Sequence, residues 1–525
     1  MVFYQSLRDG QIIPQWADIL CGGFGCPQFS FLYILPYYII SFFHFVGFSF
    51  LTSTKIFLIA SYIGSGITMF VFMKDLTKNA LAALTSAIFY LFAPYHLVDM
   101  HFRVSIGEVL AFVILPFFFY ASKKTVTEKN YLWIFINALV LSFLILTHQV
   151  ISTASIPFIV AYAVTLAVSP KKYTGALIRF FISLLVGLFL SCFYWLPILF
   201  EAKFVSYFYM KNVTFESFIG FFYAPWRYGF LFQGPTGHLS FLLGYAQIAV
   251  IVISVFLFVK KKVKASVKTF FQFFLVSFFI LFFLIQSPMK PIVDHLPIVN
   301  NFQMVYRMLL ILMFFVSALS GFLSLLIKKK YIYLLCAIAI LSTILNWGNR
   351  RMIPEITDQH LRSDMIGSSN GHDLIVPKWV DTKYSWNIQK PNEPLQLLSG
   401  TAITEQISHT SNSREYLVKA DTQVKIKENT FFFPGWKLYV NGNEEKFTYE
   451  DSQYSGVMVF FLPKGLYDIQ FVYTDTPIRQ AAKIISVFTF ILMISFLFAK
   501  LAKNNRQNLP LHSLLKFSSR VFHGK

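Results

Sequence analysis

The chain has 525 residues, of which 56% are apolar, 19% are aromatic and only 13% are charged. A soluble domain carries about one quarter charged residues, so this composition excludes an ordinary water-exposed surface. The net charge of +20 would suggest a nucleic-acid partner in a soluble protein, but the Lys and Arg residues cluster between apolar runs, as they do in the cytoplasmic loops of membrane proteins. The sequence therefore predicts a polytopic, mainly α-helical membrane protein with no nucleic-acid partner.

The first apolar run, 30–50, contains Pro36, three Tyr and His44. Tyr and Pro are typical of interfacial segments, so we expect this run to lie in the outer interface of the membrane instead of crossing it. The later runs have the length that crosses the hydrocarbon layer, and they alternate as eleven spans if every basic loop is cytoplasmic. These spans are 56–73, 80–95, 105–121, 131–147, 149–168, 175–200, 239–259, 268–286, 303–326, 331–347 and 482–500.

The long polar stretch near the C-terminus has the composition of a soluble domain. Apolar and polar residues alternate at 424–427, 436–440 and 469–471, which predicts half-buried strands. Asn441-Gly442 is a strong hairpin signal, because both residues tolerate positive φ, and a second turn is predicted at 463–465. We expect a small antiparallel β-sandwich, followed by a last helix and a basic tail in which 509–522 lies on the inner leaflet.

These patterns divide the chain into segments. The predicted segments are a first extracytoplasmic loop with interfacial helices (1–55), a transmembrane helical bundle (56–347), an extracytoplasmic β-rich domain (348–481), a last transmembrane helix (482–500) and a basic cytoplasmic tail (501–525).

The cysteines contain no metal-binding pattern. Cys192 and Cys336 fall inside predicted helices, where we expect inert core residues. The spacing of Cys21 and Cys26 permits a small disulfide, although the sequence favours leaving this pair unbridged.

Ionisable residues near a bilayer are costly and are therefore candidates for function. Carboxylates could act as a general base or bind a divalent cation such as Mg²⁺ or Mn²⁺, Arg could bind a phosphate, and aromatic rings could stack on sugars. The candidates, all in segments assigned to the outer side, are Glu108, Asp99 and Asp18 as catalytic acids or bases, Arg103, Arg307 and His101 as phosphate-binding groups, and His148, Glu201, Trp16 and Tyr95 as substrate-lining groups.

Each candidate also has a structural interpretation. Glu108 could serve only to favour the N-terminus of its helix, and Arg103 and Arg307 could bind lipid head groups. Asp99 and His101 could belong to a solvated loop, and His148 could be a turn residue. The chain contains no Walker loop and no Rossmann fingerprint, so an ATP-driven role within this chain is not expected.

The motifs resemble those of known bacterial multi-pass proteins. Gln15-Trp16, the run 23–27 and 35–38 resemble the first outer loop of the GT-C glycosyltransferase superfamily, and 94–108 resembles the signature of the membrane proteins labelled "6-pyruvoyl-tetrahydropterin synthase-related". The segment from Phe433 to Tyr473 is similar to the outer β-domain of the YfhO family, which is implicated in decorating teichoic acids with sugar from a polyprenyl-phosphate donor.

The resemblance implies a helical bundle in which one outer acid activates the acceptor and a second supports metal or donor binding. By position, Glu108 and Asp99 match the second acidic segment, and Arg307 matches a segment suited to a lipid phosphate. The superfamily also places a transmembrane helix and an acidic residue before the first outer loop. This chain begins inside that loop, with Asp9 and Asp18 as its acids, which we interpret as a truncated start or a lost catalytic part.

The leading hypothesis is a membrane glycosyltransferase that transfers a sugar from polyprenyl phosphate to a cell-envelope acceptor, such as teichoic acid, on the outer face. A transporter or flippase of a lipid-linked glycan is the first alternative, although it would require ionisable residues in the middle of the bilayer and symmetric halves. A non-catalytic scaffold with a glycan-binding β-domain is the second.

Overall fold

The computed structural model describes residues 1–168, 175–206, 218–222, 241–291, 295, 305–344, 357–363, 375–380 and 393–508. The chain is mainly helical up to residue 363, is β-rich after that, and ends in a long helix. The helices are α1 (Val2–Arg8), α2 (Gln28–Phe31), α3 (Leu35–Phe45), α4 (Phe50–Thr77), α5 (Ala80–Leu91), α6 (Pro94–Val98), α7 (Ile106–Thr127), α8 (Leu132–Thr147), α9 (Gln149–Val168), α10 (Ala176–Leu190), α11 (Cys192–Glu201), α12 (Tyr245–Val259), α13 (Ala265–Leu284), α14 (Leu309–Leu323), α15 (Lys329–Ile344), α16 (Asp358–Ser363) and α17 (Pro477–Asn508).

Within the described residues, six segments are long and apolar enough to cross a membrane, or eight if each of two bent helix pairs counts as one span. The six are α4, α7, α9, α13, Val305–Leu323 and Pro477–Lys500. Helices α8 and α12 are apolar but shorter. The structure thus confirms a multi-pass membrane protein, and the number of eleven crossings stays a prediction.

Helix α14 lies at the centre of the bundle. Every one of its residues is buried, and a helix that is apolar on all sides is stable only when other helices surround it. Phe314 of α14 packs against Phe72 of α4, Phe119 of α7 and Phe274 of α13, with ring centroids 4.5–6.0 Å apart. By contrast, α17 is mostly exposed and lies at the edge of the bundle.

Two predicted spans are broken. The predicted span 80–95 ends at Leu91, and the chain then continues through α6 and a π-helical turn, Asp99–Arg103, at an angle of 46° to α5. The predicted span 175–200 bends by 68° between α10 and α11. The alternative that Asp99 belongs to a solvated loop was therefore wrong, because Asp99 is fully buried, as is the nearby His96.

The first segment agrees with an interfacial position. The longest helix that lies wholly within it, α3, has 11 residues, which is too short to cross a bilayer alone. Helix α4 begins at Phe50, earlier than the predicted start at 56, because Ser49 caps it and the Asp358 carboxylate accepts hydrogen bonds from the backbone N–H groups of Phe50 and Leu51.

The β-rich region contains two larger antiparallel sheets with a common hydrophobic core. The five-stranded sheet has the order β4 (Ala402–His409), β5 (Ser413–Ala420), β10 (Gly465–Tyr473), β7 (Trp436–Val440) and β8 (Asn443–Glu445). The three-stranded sheet has the order β3 (Leu395–Ser399), β6 (Val424–Phe431) and β9 (Val457–Leu462). A separate pair joins β1 (Val205–Ser206) and β2 (Val376–Pro377).

The predicted turns are present. Asn441 and Gly442 both have positive φ and connect the paired strands β7 and β8. The turn at 463–465 separates β9 from β10, but these strands belong to different sheets, so the turn passes the chain across the core instead of closing a hairpin. The predicted inner-leaflet segment 509–522 lies outside the described residues.

The first segment lies between the bundle and the β-rich region. The backbone N–H of Ile34 donates to the carbonyl of Leu146 in α8 at 3.0 Å, and the N–H of Phe431 in β6 donates to the carbonyl of Phe24 at 3.0 Å. Cys21 and Cys26 form a disulfide, so the preference for an unbridged pair was wrong. Cys192 and Cys336 are free and buried, as expected.

Candidate functional site

The densest group of ionisable side chains lies where the chain passes from α5 to α7. Pro94 occupies the first turn of α6, where its missing N–H costs nothing. The π-helical turn then ends at Val104, which has φ +47° and ψ +44°, the left-handed conformation. A β-branched residue rarely adopts this conformation, which costs roughly 1–2 kcal/mol. After this turn α7 begins, and Arg103 and Glu108, on either side of Val104, are hydrogen-bonded to each other.

Glu108 is at the centre of this group and its side chain is fully buried. Its Oε1 accepts hydrogen bonds from Arg103 Nη2 at 2.9 Å and from Ser105 Oγ at 3.2 Å, and its Oε2 accepts a short hydrogen bond from the Tyr95 hydroxyl. Glu108 therefore does more than favour the start of α7. Its carboxylate is held by donors from three directions.

Arg103 bridges the two buried carboxylates. Its Nη1 donates to Asp99 Oδ1 and, at 2.9 Å, to the Tyr95 hydroxyl, while its Nη2 donates to Glu108. The guanidinium also lies 4.9 Å from the ring centroid of Tyr306. Arg103 thus makes three hydrogen bonds within the cluster and holds Asp99, Tyr95 and Glu108 together.

Asp99 differs from Glu108 in its acceptor capacity. Its side chain is fully buried, yet its Oδ2 accepts no hydrogen bond from the described residues. A buried carboxylate oxygen without a donor is costly, and such groups occur where a substrate or a proton is received. Asp99 is therefore the carboxylate of this cluster with an acceptor oxygen that no described donor occupies.

Two groups from distant parts of the chain complete the cluster. Arg307, in the 3₁₀ turn Val305–Met308, places its Nε 3.6 Å from Glu108 Oε1, and that buried Nε has no hydrogen-bond partner among the described residues. His148, between α8 and α9, places its Nε2 3.8 Å from the same oxygen. The His148 Nδ1 accepts the backbone N–H of Ile151 at 3.3 Å, so the proton of a neutral ring is on Nε2, facing Glu108.

Close backbone packing holds α7 and α8 together here. A Cβ on Gly107 would lie 2.7 Å from the ring of Tyr33 and 2.8 Å from the carbonyl oxygen of Thr147, so only glycine fits. Tyr33 stacks on His148 with ring centroids 5.7 Å apart. Burial, together with the charge of Glu108, raises the pKa of Tyr33 to about 12, and its hydroxyl keeps its proton at neutral pH.

The sequence reasoning did not single out Tyr33, Ser105 or Tyr306. Ser105 had a readable signal, because a Ser three residues before a Glu is a capping box. In the structure this motif does not cap the helix, since Ser105 Oγ donates to the Glu108 carboxylate and does not accept a hydrogen bond from the first backbone N–H groups of α7. Tyr33 and Tyr306 had no signal, because both reach the cluster through helix packing.

The cluster does not fit a divalent cation. Arg103 already provides the positive charge between the two carboxylates. Among the described residues, no three His, Cys, Asp or Glu side chains are arranged to share a metal ion. We therefore derive no chemistry through Mg²⁺ or Mn²⁺.

Three predicted candidates lie elsewhere. Asp18 accepts hydrogen bonds from Arg414 and, at 2.8 Å, from His409, and thereby links the first segment to β5 and β4. Trp16 is fully buried in the core of the β-rich region, edge-on to Trp436 at 5.5 Å. Asp18 thus bonds the β-rich region, and Trp16 packs within its core.

Glu201 is the third. It lies at the end of α11, where its Oε2 accepts two hydrogen bonds from Arg479 of α17, at 2.7 and 2.9 Å, and its Oε1 accepts one from Thr476 at 2.7 Å. Both members of the ion pair are buried. This pair joins the last helix to the bundle.

His101, predicted as a phosphate-binding group, lies in the π-helical turn and is half-buried.

Comparisons with known proteins agree with the membrane assignment. The profile of a family described as "6-pyruvoyl-tetrahydropterin synthase related domain; membrane protein" matches residues 29–352, which include the whole Glu108 cluster. An uncharacterized protein of Lactococcus lactis subsp. cremoris (strain MG1363) is 26% identical over 205 residues. The match covers 38% of this chain and 33% of that relative, so the chain spans about a third of the relative's length.

Proposed function

We propose that this chain, which belongs to the 6-pyruvoyl-tetrahydropterin synthase-related family of membrane proteins, is a glycosyltransferase that moves a sugar from polyprenyl phosphate to a cell-envelope glycan acceptor. In this proposal the bundle is GT-C-like with eleven crossings, and the β-rich region is a sandwich on the outer face. The single observation that carries the proposal is the buried cluster of two carboxylates and two guanidinium groups at one end of the bundle.

The contacts suggest a division of roles. Arg307, whose Nε has no hydrogen-bond partner among the described residues and lies 3.6 Å from Glu108 Oε1, binds the phosphate of the donor, since a guanidinium matches a phosphate in shape and charge. Arg103 and Glu108 hold the site in shape. Asp99 Oδ2 accepts the proton of the acceptor hydroxyl.

Sugar transfer in this proposal is a single displacement at the anomeric carbon. The acceptor oxygen forms a bond to the anomeric carbon of the sugar, the bond between that carbon and the phosphate oxygen breaks, and polyprenyl phosphate leaves with the bonding electrons. The proton of the acceptor hydroxyl passes to Asp99. Arg307 stabilises the charge that develops on the leaving phosphate.

The position of the cluster also supports transfer over transport. A flippase needs ionisable groups along the path through the bilayer centre. Glu108 lies instead in the first turn of α7, and His148 lies at the end of α8, so both are at the ends of helices.

The test is Asp99→Asn, which keeps the size of the side chain and removes its basicity. Loss of a general base typically lowers the rate by about 10²–10⁴-fold. We expect sugar transfer by purified protein, measured with a polyprenyl-phosphate sugar and isolated envelope glycan, to fall by that amount at unchanged protein abundance.

Asp75→Asn is the matched control. It neutralises another ion-paired carboxylate, bound by Lys123 and Lys78 at the opposite end of the bundle. The control should retain transfer. Full transfer by the Asp99→Asn protein would contradict the assigned role, and absence of transfer by the wild-type protein with its donor would contradict the proposed function.

A further inference from the structure

A cavity lies beside α8, and none of the residues that line it belongs to the Glu108 cluster. Its volume is about 740 Å³, within the range of about 300–1,000 Å³ that is typical of ligand pockets. It is bounded by α8, the junction of α10 and α11, α17, the first segment and the edge of the β-rich region. Leu146 lines this cavity, while His148, two residues further on, faces Glu108. The cavity is therefore separate from the proposed transfer site.

The walls of the cavity are apolar along the helices. Phe143 of α8 and Val487 and Phe490 of α17 line it, and these side chains are 44%, 57% and 51% exposed. Because α17 is a candidate membrane span, this side of the cavity opens toward lipid. A hydrocarbon chain is the occupant that such walls favour.

The other end of the cavity is polar. Gln11, Gln15, Asn412 and Thr474 lie there. Gln11 Nε2 donates to Ser411 Oγ and Thr474 Oγ1 donates to the carbonyl of Gly435, but an amide or hydroxyl oxygen has two lone pairs and can accept a further hydrogen bond. The charged residues among the described lining groups are Lys483 and Asp475, and they neutralise each other, because Lys483 Nζ lies 2.8 and 2.7 Å from the two carboxylate oxygens of Asp475. Arg479, four residues before Lys483, is bound by Glu201.

Because Lys483 and Asp475 neutralise each other, the cavity favours a lipid whose head group is uncharged. A phosphate would require an unpaired cation and would instead meet the Asp475 carboxylate. A head group with hydroxyls can donate to and accept from the amides without any net charge. We propose that the cavity binds a membrane lipid with an uncharged sugar head group, namely a glycosyl diacylglycerol, with an acyl chain between α8 and α17.

The experiment uses the purified full-length protein in detergent, supplied with equal amounts of monoglucosyl diacylglycerol and phosphatidylglycerol. Native mass spectrometry then measures which lipid is retained. We expect the sugar lipid to be retained about tenfold more than phosphatidylglycerol, a difference in binding free energy of about 1.4 kcal/mol. Equal retention of the two lipids, or preferential retention of phosphatidylglycerol, would overturn the proposal.

Variants locate the binding site. Val487→Trp adds bulk at a cavity wall and should reduce sugar-lipid retention to background. Val252→Trp is the matched control, because Val252 of α12 is similarly exposed, at 61%, and does not line the cavity. Unchanged retention by the Val487→Trp protein would count against the site.

A third variant tests the argument from charge. Asp475→Asn leaves Lys483 without its carboxylate partner, so phosphatidylglycerol retention should rise about tenfold. No rise would show that charge balance does not select the lipid. These measurements do not depend on sugar transfer, so the lipid site and the proposed transferase activity can fail separately.

Discussion

Nε of Arg307 lies 3.6 Å from Oε1 of Glu108, although the two residues belong to helices that are far apart in the chain. Arg103 contacts the same oxygen, but its donors are shared among Asp99, Glu108 and Tyr95. Of the two arginines, Arg103 makes three hydrogen bonds within the cluster, whereas the buried Nε of Arg307 makes none with the described residues. Replacement by Lys is therefore expected to affect donor binding at Arg307 and protein stability at Arg103.

Arg307→Lys should weaken donor binding. Lys keeps the charge and loses the planar, bidentate fork, and a hydrogen bond to a charged group contributes about 1.5–3 kcal/mol. We expect KM for the polyprenyl-phosphate donor to rise by about 10–100-fold, with kcat less affected.

Arg103→Lys should lower the thermal stability of the protein, because two buried carboxylates lose part of the hydrogen bonding that the guanidinium provides. The same kinetic change in both variants would refute the division of roles.

Glu108→Gln should reduce transfer without preventing membrane insertion. The amide keeps the shape of the carboxylate but places an N–H group against the donors of Arg103, Ser105 or Tyr95. Transfer per folded molecule is the quantity to measure, after size-exclusion chromatography. Glu128→Gln, at the other end of α7, is the control, since Glu128 is 41% exposed and pairs with Lys124. Normal transfer by the Glu108→Gln protein would mean that Glu108 serves only the fold.

Glu201→Ala tests the connection between the last helix and the bundle. It leaves Arg479 buried and unpaired, and breaking a buried ion pair typically costs about 3–5 kcal/mol. Thermal unfolding followed by intrinsic fluorescence in detergent should show a clear decrease in Tm. Glu444→Ala, which removes an exposed partner of Lys437, should change stability by no more than about 0.5 kcal/mol. Equal shifts for the two variants would contradict a structural role of Glu201.

The proposed orientation predicts the labelling of engineered cysteines. Positive residues favour the cytoplasmic side, so Lys262→Cys in the basic loop between α12 and α13 should resist a membrane-impermeant thiol reagent in intact cells. Asn443→Cys, at the exposed start of β8, should react. Cys192 and Cys336 are buried and contribute little background. Labelling of Lys262→Cys instead of Asn443→Cys would invert the proposed topology.

Several local features of the fold follow from the sequence alone. The turn between α8 and α9 lies at His148, as the two adjoining apolar runs and their flanking basic loops require. Strands β6, β7 and β10 coincide with the alternating segments, and Asn441-Gly442 forms its turn. These elements are predictable because hydrophobic periodicity and backbone preference act over a few neighbouring residues.

Only some of the residues that form the site could be predicted from their closeness in the sequence. Asp99, Arg103 and Glu108 are close in the chain and could be expected to meet. The turn from the π-helical segment into α7 could not be predicted, because it depends on Val104 in a left-handed conformation that a β-branched residue does not favour by itself. Packing around the π-helical turn compensates that cost.

The sequence by itself determined that this chain crosses a membrane repeatedly and carries a β-rich region before its last helix, since composition and periodicity are properties of short segments. Only the tertiary structure decided which polar residues are partners. It brought Arg307 and His148 to Glu108, and it joined Asp18 to Arg414 and Glu201 to Arg479. The reason is that a buried charge must find a partner, and helix and strand packing determines which distant partner lies within reach.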